Sequence, residues 1–221
     1  EEDEKEAILT ESEFYLNSTM LERALPERQF ALMVTLLFEV PVLFMIAGGS
    51  DSLCQLVGRA KYHLLMGFIP LTSAISGNVG LQASTLTTRA ISHAQVTTTT
   101  YLVWFSKEVG AAAFLGLCMG SLMGSIAYAA AGFDASFGAT IFTAQFISIV
   151  TAGITGTFAP LLFSFIFQRD SGKWGGPLET AVQDIVGSFA MVIISYHILK
   201  LFGSGEVDPD DVCFGPSDVN A

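Results

Sequence analysis

The stretch SAISGNVGLQASTLTTRA, residues 73–90, decides how this chain is read. It follows the apolar run YHLLMGFIPL, which carries Pro70. It sets Gly77 and Gly80 around Asn78 and Val79, with Gln82 and a ladder of Ser and Thr behind them. Glycine and asparagine accept backbone conformations that other residues resist. The segment is therefore either a loop tip in water or a buried site built from bare backbone and neutral oxygens. The rest of the chain chooses between them. Of its 221 residues 51% are hydrophobic and only 14% charged, with a mean hydropathy of +0.55; an ordinary soluble domain carries about 25% charged residues. A deficit of that size points to a bilayer as solvent.

With a window of about 19 residues, five apolar spans emerge at 29–47, 62–82, 103–131, 140–167 and 178–202. Each is near or above the roughly 20 residues that cross a bilayer core as a helix. The second is expected to break near Pro70 and Gly77. The third and fourth are too long and too uncharged for soluble amphipathic helices, which keep one polar face. The fold class is all-α: a polytopic membrane protein with five transmembrane helices. Residues 1–28 read as an acidic cytoplasmic leader with an amphipathic helix, 29–203 as the transmembrane domain, and 204–221 as an acidic, disordered tail.

The net charge of −11 belongs mainly to the flanks, with Glu1, Glu2, Asp3, Glu4, Glu6, Glu11, Glu13, Glu22 and Glu27 ahead of the first span. The basic face that a nucleic-acid partner would require is absent. With the N-terminus in the cytoplasm, Lys5, Arg23, Arg28, Arg89, Lys107, Arg169 and Lys173 fall on the inner side, and only Arg59, Lys61 and Lys200 outside. This distribution obeys the positive-inside rule and serves a plasma membrane or an organelle membrane equally. A glycan on the Asn17-Ser18-Thr19 sequon would reverse the orientation. The three cysteines, Cys54, Cys118 and Cys213, have no metal-ligand spacing, and their odd number predicts no disulfide framework. Cys118, in an apolar run, is expected in the core.

Ionisable groups at bilayer depth are costly and mark a pathway or a partner. Asp184 is the strongest of them, because Thr180, Asp184 and Ser188 are spaced by four and form one polar stripe on an oily helix. That stripe fits a helix lining water, or a carboxylate paired to a neighbouring helix. Glu39, just before the potential kink at Pro41, faces the same pathway or sits protonated in a helix contact. Glu108 reads as an interfacial anchor. Gly116, Gly120 and Gly124 form a small-residue row of the kind that lets helices approach closely. Gly153, Gly156 and Pro160 form a second close-approach and kink element. Thr151, Thr155 and Thr157 are placed to cap carbonyls that Pro160 frees. No nucleophile-and-base set or HExxH pattern appears, so an enzyme is not the reading.

Asp184, Thr180, Ser188, Asn78, Gln82 and the carbonyls of Gly77 and Gly80 are all oxygen donors. Hard oxygen ligands suit Mg²⁺, Ca²⁺ or Mn²⁺, with Co²⁺ as a further divalent candidate. Mg²⁺ gives up its waters reluctantly, so a sparse site rich in acceptors suits its hydrated form. Two Asp184 carboxylates meeting at a two-fold axis would neutralise one such ion.

These residues resemble the MgtE magnesium channel/transporter family, including its eukaryotic solute-carrier relatives. The resemblance rests on Pro70 with Gly77-Asn78-x-Gly80-x-Gln82 followed by Thr85, Thr88 and Arg89, and on Lys107-Glu108 with Gly110. It continues through Ala152-Gly153-x-x-Gly156-x-x-x-Pro160 and Gly176-Pro177-x-x-Thr180-x-x-x-Asp184-x-x-Gly187, and covers nearly all of residues 29–203. It implies a homodimer whose pore lies at the two-fold axis, lined by the second and fifth helices. It also implies that Asp184 is the pore carboxylate for hydrated Mg²⁺, with Gly77 and Asn78 near the ion. Two departures stand out: Ser76 replaces the first glycine of the usual pair, and Asp170-Ser171 stands where many members have Asp-Pro-Ala. Bacterial members also carry soluble sensor domains, for which residues 22–28 would hold only the linker. The competing reading is an ion-coupled secondary transporter of a small organic solute, with Asp184 carrying the coupling charge; broken helices at mid-membrane are common to such carriers.

Overall fold

The computed structural model describes residues 17–19, 21, 27–167, 171–202 and 213. The expected leader and tail lie largely outside these residues, as does Asp170. Five long helices follow in order: α1 (Glu27–Val57), α2 (Arg59–Ser92), α3 (Tyr101–Ala130), α4 (Ala135–Phe165) and α5. The fifth runs as α-helix over Ser171–Phe189, as one π turn over Ala190–Ile194 and again as α-helix over Ser195–Phe202. Each contains a segment long and apolar enough to cross a membrane.

The corners are short and have local causes. Gly58 alone separates α1 from α2, at φ 80° and ψ 163°, a conformation closed to side-chain-bearing residues. Between α3 and α4, Gly132 and Phe133 take positive φ, and Asp134 then caps α4 by accepting from the N–H groups of Ser136 (2.9 Å) and Phe137 (3.2 Å). Lys61 at the start of α2 reaches the same carboxylate at 2.6 Å, tying the α1–α2 corner to the α3–α4 corner.

Desolvation pushes the Asp134 pKa up. The hydrogen bonds from Lys61, Ser136 and the Phe137 N–H, with the charge of Lys61, outweigh it and hold the value at about 2 against an ordinary 3.8. A carboxyl with a depressed folded pKa stabilises the fold fully above its unfolded value and loses that contribution as pH falls through the folded one. Thermal unfolding in detergent is therefore expected to show a stability loss between about pH 4 and pH 2, and Asp134→Asn is expected to remove that component.

The central helix is α4: half of its membrane segment is buried, against 11% for α1. Lipid tails are as apolar as leucine, so close packing and interhelical hydrogen bonds hold such helices together. Gly116, Gly120 and Gly124 form the seam with α4. A Cβ on them would lie 3.0 Å from the Phe146 ring, 3.1 Å from the Phe142 carbonyl and 2.8 Å from Phe142 Cβ, respectively. A Cβ on Gly153 would overlap that of Ala112, and one on Gly156 would overlap the Gly80 carbonyl of α2. Leu53, Leu65, Phe68, Phe137, Ile141 and Met191 fill the main apolar core. Leu32, Leu37, Leu43 and Phe44 of α1 stay exposed, as side chains facing lipid do.

Four expectations are corrected. First, α2 is not broken at Pro70 or Gly77 but runs unbroken through both. In an apolar medium a freed backbone group has no water to bond, so closing the helix outweighs the poor propensity of glycine. Second, Cys54 and Cys213 form a disulfide across 159 residues of sequence, with Cα atoms 6.0 Å apart; an odd cysteine count does not prevent two of the three from pairing. Third, Cys118 is exposed on α3 rather than packed in the core, because hydropathy alone does not separate a lipid-facing residue from a core one. Fourth, Thr151, Thr155 and Thr157 donate to the carbonyls of Ile147, Thr151 and Gly153, so none caps Gly156, whose carbonyl lies four residues before Pro160.

Candidate cation site

The site forms where α2, α4 and α5 meet. Asp184 is half-buried on α5, and its Oδ1 accepts a hydrogen bond from the Ser73 hydroxyl of α2. Three residues on, Ser76 is fully buried. Its hydroxyl donates to the carbonyls of Thr72 (2.9 Å) and Ser73 (3.1 Å) and accepts from Ser148 Oγ of α4 at 2.9 Å. Gly187, one turn after Asp184, leaves room for this junction: a Cβ there would stand 3.2 Å from Ser148 Oγ and 3.9 Å from Ser73 Cα.

Gln183, beside Asp184 in sequence, faces α4 instead because adjacent residues diverge by about 100° around a helix. With its amide turned to satisfy both ends, its oxygen meets the Thr155 hydroxyl at 2.7 Å and the Ala152 N–H at 3.1 Å, and its nitrogen donates to the Ser148 carbonyl at 3.2 Å. Gln183 and Asp184 therefore lock α5 against both neighbours, nearly two turns before the π turn at Ala190. Single π turns inside α-helices occur often at functional sites.

The residues singled out from sequence divide into three groups. On α5, Thr180 is exposed, Asp184 half-buried and Ser188 buried, so the stripe runs from the surface into the bundle. On α2, Asn78 and Gln82 are exposed, and Gly77 is half-buried with nothing within 4 Å of where its Cβ would be. Gly77 lies one helical turn from Ser73 on the same face, so open space adjoins the Asp184 contact. Gly80 is buried against Gly156 and acts in the α2–α4 crossing, away from that space. Glu39 is half-buried on α1, and none of the described hydrogen bonds ties it to Asp184.

Ser73, Ser76, Ser148 and Gln183 were not legible as site residues. Serine is common in apolar helices, and its partner depends on how neighbouring helices are rotated. The only local signal was the spacing of four between Ser73 and Gly77. Among the described residues no three His, Cys, Asp or Glu side chains converge. The donor set at Asp184 is thus one carboxylate with the Ser73 hydroxyl beside the open space at Gly77, while the Gly77 and Gly80 carbonyls lie within continuous helix rather than in a break. Such a set suits an ion that keeps its waters better than a dehydrated metal.

The sequence profile of the MgtE divalent cation transporters matches residues 69–194, which include every residue of this junction. The magnesium transporter MgtE of Bacillus subtilis (strain 168) is 24% identical over 137 residues, covering 62% of this chain. The chain spans 29% of that protein's length. With more than half of its residues inside the profile and five helices able to cross a membrane, the chain belongs to the MgtE divalent cation transporter family, an integral membrane family of transporters rather than enzymes.

Proposed function

We propose that this chain conducts hydrated Mg²⁺ across a membrane through a pore lined by α2 and α5, formed where two copies meet at a two-fold axis. The observation that carries this reading is the half-buried carboxylate of Asp184, together with the exposed polar residues of α2 and α5. Asn78, Gln82 and Thr180 are exposed and Asp184 is half-buried, on helices whose other exposed residues include Leu71, Leu81 and Phe189. Polar groups on a membrane bundle belong against water or another copy rather than lipid. A second copy facing this surface would bring two carboxylates to one divalent ion. Asn78 and Gln82 amides and the Thr180 hydroxyl would accept from its waters, and Gly77 would supply room.

Reconstituted into liposomes with an internal Mg²⁺ indicator, the chain is expected to admit Mg²⁺ down its gradient without an organic solute. Solute-dependent flux with no Mg²⁺ entry would favour the coupled carrier instead. Mn²⁺, Co²⁺ and Ca²⁺, tested in the same vesicles, rank the selectivity.

The orientation belongs to the same proposal. Disulfides persist in oxidising compartments, so the Cys54–Cys213 pair supports an extracytosolic α1–α2 corner and hence a cytosolic N-terminus. In a Cys118→Ser background, a maleimide–polymer conjugate is expected to label neither cysteine until a membrane-impermeant reductant acts from the non-cytosolic side. Labelling of unreduced protein from the cytosol would reverse the orientation.

A further inference from the structure

We propose that Ser73 is a positioning residue for the transported cation, holding one oxygen of Asp184 so that the other is presented to the ion's hydration shell. This rests on the reading of Asp184 as the pore carboxylate. Asp184 Oδ1 is engaged by the Ser73 hydroxyl, and Oδ2 has no protein donor among the described hydrogen bonds. An aspartate beside open space has several side-chain rotamers to choose from, and a donor fixed on one oxygen removes that choice.

Ser73 is itself held. The Ser76 hydroxyl donates to the Ser73 carbonyl, and Ser148 of α4 donates to Ser76, so the backbone carrying Ser73 is tied across two helices. Gly187 lets α5 lie close enough for the contact, and Gln183 fixes the rotation of α5 from its other side. No Lys, Arg or His stands in the central part of α2, α4 or α5 to take the place of Ser73. Of the ionisable side chains on the helices packed against α5, Glu39 of α1 is the acid at comparable depth, and no described hydrogen bond joins it to Asp184. The hydroxyl is therefore the means of orienting this carboxylate without neutralising it, which a cationic partner would do at the expense of attraction for Mg²⁺.

The experiment compares Mg²⁺ entry into liposomes for the wild-type chain, Ser73→Ala, Ser73→Thr and Asp184→Asn, each scaled to folded protein by detergent melting and size exclusion. Hydrogen bonds to charged groups carry more than neutral ones. Ser73→Ala is accordingly expected to raise the KM for Mg²⁺ about ten-fold with maximal flux within about two-fold, and Ser73→Thr, which keeps the hydroxyl, to restore it. Wild-type KM in Ser73→Ala while Asp184→Asn is inactive overturns the role of Ser73 alone. Full transport by Asp184→Asn overturns the underlying reading. A Ser73→Ala protein with reduced folded yield but unchanged KM per folded molecule identifies a packing role and overturns the proposal.

Discussion

Asp184→Asn is expected to abolish Mg²⁺ entry, by about 100-fold or more, while the protein reaches the membrane folded. The substitution keeps the side chain's shape and leaves an oxygen to accept from Ser73, so the α2–α5 contact survives. What it removes is the charge. Two unit charges about 6 Å apart, a carboxylate and an ion with its water between them, attract by roughly 3 kcal/mol at an effective dielectric near 20. A divalent ion between two carboxylates multiplies this. That attraction offsets the cost of bringing a dication to bilayer depth, and a neutral amide does not replace it. Complementation of a magnesium-uptake-deficient strain, with membrane levels checked on the same cells, measures the effect. Growth equal to wild type would show that the ion crosses by another route.

Gly156→Ala is expected to cause the largest loss of stability, about 3 kcal/mol or more, the upper end of what overpacking costs. A Cβ at this position would coincide with the carbonyl of Gly80, which is backbone and cannot rotate away. The helices must separate, and the separation reaches the Ser76–Ser148 contact two turns along α4. An interhelical hydrogen bond in a bilayer contributes on average only about 0.6 kcal/mol, so close packing at the glycines outweighs the hydroxyl contacts in holding α2 to α4. Gly77→Ala is the control: nothing lies within 4 Å of its Cβ position, so its melting temperature in detergent is expected to stay level or rise, alanine being the better helix former. Equal loss in the two variants would mean that helix propensity, rather than the crossing, sets stability.

The five helices were legible because each burial pattern repeats over some twenty residues of one composition. Their ends were less so: α2 extends to Arg59 and Ser92, beyond the expected 62–82, since polar residues such as Ser84 and Thr87 are buried in the bundle rather than exposed in a loop. Asp184 was visible because an acid amid apolar residues is conspicuous in one dimension. The glycine row on α3 was visible for its spacing, although the partner it meets, Phe142 and Phe146 of α4, was not.

Local composition and period by themselves determined an all-helical membrane chain, its number of apolar spans and the acid at the heart of the proposed pathway. These properties depend on transfer from water, which each residue undergoes largely independently of its neighbours. Only the tertiary structure decided that GNVGLQ is continuous helix, that Gly80 serves the crossing while Gly77 adjoins open space, that Ser73 holds Asp184, and that Cys54 meets Cys213. Those outcomes depend on the rotation and tilt of whole helices. A turn of about 100° moves a serine from lipid to a carboxylate while leaving the sequence unchanged.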